Sequence, residues 1–356
     1  MRQDLPLIFD GHNDTLLNLH LRRRSKGRSF FERSETGHID LPRAHEGNFG
    51  GGFFACFAPN RRQDGWTEES ALSVTDEGYE VAGAPPVDPE YARALADALS
   101  SRLFRLEAES ESSLVVVRTA DEVEACLEDG KIAAILHFEG AENLGEDPNS
   151  LEELHEKGLR SLGLVWSRPN AYAHGVPFRF PSSPDTGPGL TAAGRDLVRE
   201  CNRLGVLVDL SHLNERGFWD VAETTDVPLV ATHSNAHALC ASSRNLTDRQ
   251  LDAIRDSDGM VGVNFAVSFL REDGHEDANT PLETVARHVD YLVRRIGIDR
   301  VGFGSDFDGA KMPGDLGDVS GLPKLLDVLR ERGYDDAGLK KLAHGNWLRV
   351  LRATWR

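Results

Sequence analysis

The chain has 356 residues, of which 40% are apolar and 28% are charged, a composition typical of a folded globular protein. Its formal net charge of −18 and the lack of an extended basic stripe argue against a nucleic-acid partner, because neutralising phosphates requires clustered Lys and Arg. No apolar run approaches the ~18 residues of a membrane span, and no signal peptide is recognisable. We therefore expect no membrane association and a cytoplasmic location. The four cysteines show no metal-like or disulfide-like spacing and are expected to be free thiols.

Short apolar runs rich in β-branched residues alternate with amphipathic stretches along the chain. The runs predict strands at 5–9, 52–57, 133–138, 161–165, 206–210, 229–232, 261–265 and 301–304. The amphipathic stretches predict helices at 89–107, 151–156, 192–204, 248–256, 282–296 and 322–331, two of them preceded by the capping residues Thr191 and Thr247. Alternation over eight strands predicts an α/β fold, a (β/α)8 TIM barrel forming one catalytic domain over residues 1–356.

Three segments do not fit the simple alternation. Residues 60–89 and 168–189 are predicted to be long loops, which in a compact domain are either lids and binding loops or insertions with no role. Residues 114–117 predict an extra strand in a small insertion outside the barrel.

Polar residues follow five of the predicted strands, at the end of the barrel where reacting residues gather. The segments that follow strands one, three, five, six and eight are Asp10-Gly11-His12-Asn13-Asp14, His137-Phe138-Glu139-Gly140, Asp209-Leu210-Ser211-His212, Thr232-His233-Ser234-Asn235 and Gly304-Ser305-Asp306-Phe307-Asp308-Gly309. Any one such histidine is more often a simple hydrogen-bonding residue than a ligand. Five strands ending in this way indicate a shared site.

Imidazole and carboxylate ligands suit zinc and similar divalent ions, so these residues predict two bound metals. His12 and Asp14, two residues apart on extended backbone, point the same way and would bind one ion. His212 and His233, from neighbouring strands, would bind the second, and Glu139 would bridge the pair. Two ions roughly 3.5–4 Å apart would share a hydroxide and polarise a carbonyl. Asp306 would orient that hydroxide and carry its proton to the leaving nitrogen.

Two further residues in these motifs have competing interpretations. His137 faces the same way as Glu139 but deeper in the barrel, so it is either a support for a metal ligand or a buried structural histidine. Asp308 is interpreted as a turn residue of the loop after the last strand.

Taken together, the motifs resemble those of the membrane (renal) dipeptidase family of amidohydrolase-like metal barrels, and of its bacterial members in particular. The resemblance includes the strand-end motifs, Gly37-His38-Ile39-Asp40-Leu41-Pro42-Arg43, Ser243-Arg244-Asn245 and the closing Gly345-Asn346-Trp347-Leu348-Arg349-Val350. It runs in order from about residue 8 to 350, and the motif set is specific.

The resemblance implies a (β/α)8 fold, two Zn²⁺ ions, a homodimer and hydrolysis of dipeptides, including those with a D-residue at the C-terminus. It implies that Glu139 bridges the metals, that Asp306 handles the proton and that Arg244 pairs with the substrate carboxylate. A guanidinium matches a carboxylate through two hydrogen bonds, which agrees with that role.

One residue departs from the family pattern. Trp166 stands where the family has a substrate-contacting histidine, and an indole donates a single hydrogen bond but accepts no proton. Arg168 and His174 are nearby candidates to replace that histidine. Losing one donor to a transition state typically costs ~10²–10³ in rate, so we expect a changed substrate range or a weaker hold on the scissile carbonyl.

Two alternatives to a dipeptidase stay open at this point. One is a related metal hydrolase of other small amides such as N-acyl amino acids. The other is a non-catalytic metal-binding barrel that acts as a scaffold.

Overall fold

Eight parallel strands close into a barrel in the computed structural model, which describes residues 2, 4–21, 27–61, 65–145 and 150–355. The barrel order is β2-β1-β12-β11-β10-β9-β7-β6, and pairing of β2 with β6 closes the ring. The strands are β1 Ile8–Asn13, β2 Phe49–Phe57, β3 Leu72–Thr75, β4 Gly78–Val81, β5 Leu114–Val116, β6 Ile132–Glu139, β7 Leu159–Gly163, β8 Arg179–Phe180, β9 Leu207–Asp209, β10 Val230–Ala231, β11 Met260–Val263 and β12 Val301–Phe303. The predicted (β/α)8 fold is confirmed.

Helices alternate with the barrel strands and cover their outer faces. They are α1 Thr15–His20, α2 Leu41–Glu46, α3 Glu68–Ala71, α4 Pro89–Glu109, α5 Ala120–Glu128, α6 Ser150–Lys157, α7 Ala192–Leu204, α8 Glu215–Thr224, α9 Asp248–Asp256, α10 Val267–Leu270, α11 Leu282–Ile296, α12 Leu322–Glu331, α13 Asp336–Lys340 and α14 Asn346–Thr354. Thr191 and Thr247 cap α7 and α9 as predicted, each hydroxyl accepting a hydrogen bond from a first-turn amide. None of the described helices is both long and apolar enough to cross a membrane.

Apolar side chains fill the interior of the barrel. Trp347 of α14 is fully buried there and donates its indole N–H to the Phe303 carbonyl, 3.2 Å away. Side chains at Gly11 and Gly262 would lie 2.6 and 3.1 Å from this indole. The glycines therefore make room for this indole inside the barrel. The four cysteines are buried and free, as expected.

The first strand differs in detail from the prediction, whereas the extra strand agrees with it. The first strand begins at Ile8 rather than at residue 5, so it includes His12 instead of ending before it. The extra strand β5 lies outside the ring, as predicted, and pairs with the first half of β6.

Residues 60–89 are not a plain loop. They contain α3 and the β3–β4 hairpin, and β4 pairs with β8 from the other long loop. The resulting three-stranded antiparallel sheet lies beside the open end of the barrel, because its residues line the cavity described below.

Candidate active site

The five predicted metal ligands converge at the C-terminal ends of their strands. Glu139 lies at the centre, with its Oε1 2.9 Å from Nε2 of His212, 3.6 Å from Nε2 of His233 and 3.8 Å from Nε2 of His12. Asp14 Oδ2 is 3.5 Å from the same His12 nitrogen. All five side chains are almost completely buried. Four separate strand ends thus build one compact cluster.

Hydroxyl groups fix the orientation of the two facing histidines. Thr232 donates its single hydroxyl proton to Asp209 Oδ2 at 2.6 Å. The Thr232 hydroxyl oxygen therefore accepts a hydrogen bond from the Nδ1–H of His233 at 2.9 Å. The Nε2 of His233 is therefore the nitrogen with a free lone pair, and it points into the cluster. The Nδ1 of His212 lies 2.8 Å from the Ser167 hydroxyl, and this contact orients the ring with its Nε2 towards the cluster.

The cluster fits divalent metal ions. The Nε2 atoms of His212 and His233 face each other at 3.1 Å, an arrangement that a shared cation would satisfy. Three buried atoms of this cluster have no hydrogen-bond partner within the described part of the chain. They are the two ring nitrogens of His12 and the Oδ1 of Asp14. Buried polar atoms without partners are rare in folded proteins unless an ion or ligand meets them.

The electrostatics agree with this interpretation. Burial lowers the pKa of His212 and His233 well below the ordinary value, so both stay neutral, which is the form that binds a metal. Burial raises the pKa of Glu139 to about 8, against the opposing effect of His12. For His12 itself, burial is outweighed by Glu139, Asp14 and Asp306, and its pKa rises to about 10. Carboxylates this crowded require positive charge between them.

Asp306 joins this cluster from the end of β12. Its backbone N–H donates to the His12 carbonyl at 3.0 Å, and its Oδ2 accepts from the Asn264 side chain at 2.9 Å. Burial and the neighbouring Asp14 carboxylate raise its pKa, which favours a group that takes up and releases a proton. The backbone is left-handed at Asp306 and at His212, with φ of 63° and 66°. Strained backbone of this kind is often found at functional sites.

Arg244 lies buried at the edge of the cluster. It donates one hydrogen bond to the His233 carbonyl at 3.2 Å, and its guanidinium carbon lies 5.4 Å from the centre of the Phe269 ring. Its Nε has no hydrogen-bond partner among the described residues. Phe269 is among the described residues that line the cavity and Arg244 is not, so the guanidinium lies next to the cavity wall.

Trp166 forms part of the cavity wall. Its ring centre is 5.0 Å from that of Phe57, 5.3 Å from Phe178 and 6.0 Å from His212. Arg168 packs behind it, with the guanidinium carbon 5.2 Å from the indole centre.

Neither candidate for replacing the family's histidine reaches the cavity. Arg168 uses its guanidinium on Glu142, Asn60 and the Ala58 carbonyl, at 2.8, 3.1 and 2.7 Å. His174 is not among the described residues that line the cavity. Arg168 therefore supports the wall from behind and leaves the indole to face the cavity.

The cavity above the cluster has a volume of about 500 Å³, which suits a small molecule. Its floor includes Asp14, Glu139, His212 and Asp306. Its sides come from Trp166 and Phe178, from Phe269, and from the β3–β4 hairpin through Leu72, Val74 and Tyr79. A mixed wall of aromatic and polar groups over a polar floor is typical of an enzyme active site.

The two residues with competing interpretations both support the site. His137 is fully buried, bonds to the Ser161 hydroxyl at 2.9 Å and packs edge-on against His12. Asp308 lies in a turn with φ of 67°, as the turn interpretation requires. Its carboxylate also accepts hydrogen bonds from the His38 amide at 2.7 Å and the Thr15 hydroxyl at 3.1 Å. It ties the loop after β12 to the segments that follow β1.

Three residues of the site were missed by the sequence analysis. Asn264 directly follows β11 and could have been found by the same strand-end rule that found the ligands. Gly309 lies against the Asp14 and Asp306 carboxylates, and the Asp-Phe-Asp-Gly motif gives no direct signal of that contact. Tyr79 reaches the cavity from the hairpin, which the sequence analysis took for a loop.

A (β/α)8 barrel with buried histidines and carboxylates at its strand ends defines a metal-dependent hydrolase. Residues 2–355 match the membrane dipeptidase family, peptidase family M19. The chain belongs to that family and is a metal-dependent dipeptidase, so the resemblance drawn from the motifs is confirmed.

Individual similar proteins agree with this family assignment. A metallopeptidase from Rhodobacter sphaeroides, solved with a phosphinate mimic of the dipeptide L-Ala-D-Ala, is 51% identical, with a TM-score of 0.93 and 99% coverage of both chains. An uncharacterized dipeptidase of Schizosaccharomyces pombe is 32% identical over 98% of this chain and 80% of that protein. Dipeptidase tcpJ of Claviceps purpurea is 29% identical over 96% of this chain and 76% of its own.

Proposed function

We propose that the protein is a binuclear zinc dipeptidase. The observation that carries the proposal is the buried cluster in which Glu139 lies within 3.8 Å of three histidine nitrogens. His12 and Asp14 would hold one Zn²⁺, His212 and His233 the other, and Glu139 would bridge them. When bound, the two ions supply Lewis-acid activation of the scissile carbonyl and lower the pKa of a water molecule.

The remaining residues of the site would position the dipeptide and move its proton. Arg244 would pair with the C-terminal carboxylate, for which its buried and only partly used guanidinium is suited. A water oxygen forms a bond to the carbonyl carbon, and the C–N bond breaks. Asp306 takes the proton of that water and delivers it to the leaving amine nitrogen, a role consistent with its raised pKa.

The wall around Trp166 would set the range of substrates. Trp166, Phe57 and Phe178 form an aromatic surface next to His212, where an imidazole would otherwise be expected to meet the scissile carbonyl. The phosphinate mimic of L-Ala-D-Ala in the Rhodobacter sphaeroides relative supports small L-D dipeptides as substrates, and we propose L-L dipeptides beside them. The cytoplasmic location, the homodimer and the single domain stay predictions.

The test is a screen of L-L, L-D and D-L dipeptides with zinc-loaded protein, with N-acetyl amino acids in parallel and metal content measured on the same sample. We expect two zinc ions per chain and turnover of dipeptides. Turnover of N-acetyl amino acids without dipeptides would favour the amide-hydrolase alternative. Less than one ion per chain with no turnover would favour the scaffold.

The matched variants are Asp306→Asn and, as a control, Asp315→Asn, an exposed carboxylate in the same loop. Asp306→Asn is expected to lose on the order of 10²–10⁴ in turnover while keeping its metal, because only the proton transfer is removed. Asp315→Asn should behave as wild type. Wild-type turnover by Asp306→Asn would remove that residue from the mechanism.

A further inference from the structure

The β3–β4 hairpin is connected to the loop that carries Arg244. Tyr79 of β4 pairs with Phe180 of β8 in the antiparallel sheet. On its other side, β8 meets the segment before Arg244: the Arg179 amide donates to the Ser243 hydroxyl at 3.2 Å, and the Ser243 amide donates to the Arg179 carbonyl at 3.1 Å. The hairpin is thus held in register with Arg244 through one intervening strand.

Tyr79 contributes from this sheet to the wall of the cavity. Its ring is stacked on Phe180, with centres 6.2 Å apart and planes 18° from parallel, and it lines the cavity wall. The hydroxyl oxygen is buried, and within the described ranges it forms no hydrogen bond. The Ser242 and Ser268 hydroxyls lie close enough to lower its pKa slightly, but neither has the geometry of a hydrogen bond to it. Buried tyrosine hydroxyls usually have a hydrogen-bond partner. The Tyr79 hydroxyl therefore indicates a partner that the described residues do not supply.

A second buried donor in the same region also lacks a hydrogen-bond partner among the described residues. The Nε of Arg244 has no partner among the described residues, and the Arg244 charge acts on the Tyr79 hydroxyl. Burial raises the pKa of Tyr79 to about 12, so the hydroxyl keeps its proton and is available as a donor near neutral pH. Two buried donors next to the cavity wall match an anionic acceptor with several lone pairs, such as a carboxylate.

We propose that Tyr79 is a substrate-binding residue whose hydroxyl donates a hydrogen bond to the C-terminal carboxylate of the dipeptide, beside Arg244. The proposal rests on the proposed role of Arg244. It gives the hairpin a function: a bound substrate connects the hairpin to the barrel, and a free carboxylate is recognised by donors from both.

The test measures binding rather than turnover. The probes are the phosphinate mimic of L-Ala-D-Ala and the same phosphinate without its carboxyl group, titrated calorimetrically into zinc-loaded protein. Tyr79→Phe removes only the hydroxyl. The matched control is Tyr334→Phe, whose hydroxyl bonds to Asp290 on the outer helices. Tyr79→Phe is expected to weaken binding of the carboxylated mimic about tenfold or more and to leave binding of the other mimic unchanged.

A thermal melt of the zinc-loaded variant separates this role from a structural one. Because the hydroxyl has no partner among the described residues, its removal should leave the melting temperature at or above the wild-type value. Equal affinity of wild type and Tyr79→Phe for the carboxylated mimic overturns the proposal, as does an equal loss for both mimics. Failure of the proposed function is seen separately, as absence of dipeptide turnover by the wild type.

Discussion

Gly309 shows how much a single residue without a side chain contributes to this site. A Cβ at this position would lie 2.3 Å from Oδ2 of Asp14 and 2.3 Å from Oδ1 of Asp306. Both atoms belong to short carboxylates of the cluster, Asp14 buried and Asp306 partly buried, so neither can move aside without leaving it. The closeness of the proposed metal ligand and the proposed proton carrier therefore depends on glycine here.

Gly309→Ala should consequently damage the metal site while the barrel still folds. We expect a metal affinity about tenfold lower or worse, similar to the loss of a group that supports a ligand. Zinc content after dialysis against a zinc buffer measures this directly. Gly83→Ala is the control, because no heavy atom lies within 4 Å of its added Cβ. Unchanged zinc content in Gly309→Ala would show that the carboxylates tolerate the shift.

At the residue scale the sequence predicted those groups whose position follows from the topology. Five strand-end residues, among them Glu139, were found because parallel strands all end at the same rim of the barrel. Gly309 and Tyr79 were missed for a physical reason. Gly309 contacts Asp14, almost 300 positions away, and Tyr79 pairs with Phe180, about 100 positions away; no local pattern records such contacts.

Among the elements, the β3–β4 hairpin was the least predictable. Its first strand is exposed along its whole length, with 46% and 68% of Leu72 and Val74 accessible, so it has no buried face to impose an alternating pattern. Its partner β8 is only two residues long and lies about a hundred positions away. Strands of this kind form through pairing with a distant segment rather than through their own propensity.

Replacing residues 67–81 by two glycines should remove the hairpin and leave the barrel intact. The ends are close, since the Trp66 indole donates to the Ala82 carbonyl at 3.1 Å. We expect wild-type zinc content and a KM for dipeptides at least as high as that of Tyr79→Phe, because the donor and one wall of the cavity are lost. Steady-state kinetics of the wild type, Tyr79→Phe and the deletion variant measure these KM values. A deletion variant with wild-type KM would place the hairpin outside the substrate site.

At the scale of the whole molecule, the barrel was predictable because its pattern repeats. Each βα unit adds one buried apolar run and one capped amphipathic helix, so an error of three residues in β1 did not change the topology. The arrangement of the loops on the open end does not repeat and was not predicted. One residue that holds these loops to the helical layer is His288 of α11, which is fully buried.

His288 connects the helical layer to two segments at the open end of the barrel. Its Nε2 donates to the Leu270 carbonyl at 3.0 Å, and its Nδ1 accepts from the Ala236 amide at 3.3 Å. The folded protein therefore needs the neutral imidazole, and burial lowers the pKa of His288 from 6.5 to about 4. Above pH 6.5 the imidazole is neutral in both the folded and unfolded states, so its contribution to stability is complete.

As the pH falls from 6.5 to 4, only the unfolded chain takes up this proton. The free energy of unfolding should drop by roughly 3 kcal/mol in total over that window, and no further below it. In His288→Gln, which keeps one donor and one acceptor, this pH-dependent part of the free energy of unfolding should vanish. Urea denaturation midpoints of both proteins at intervals from pH 7.5 to 4 test it, since other acid effects are common to the pair. The variant should be equal or less stable at pH 7.5 and should gain on the wild type as the pH falls. Parallel curves would mean that His288 does not titrate differently on folding.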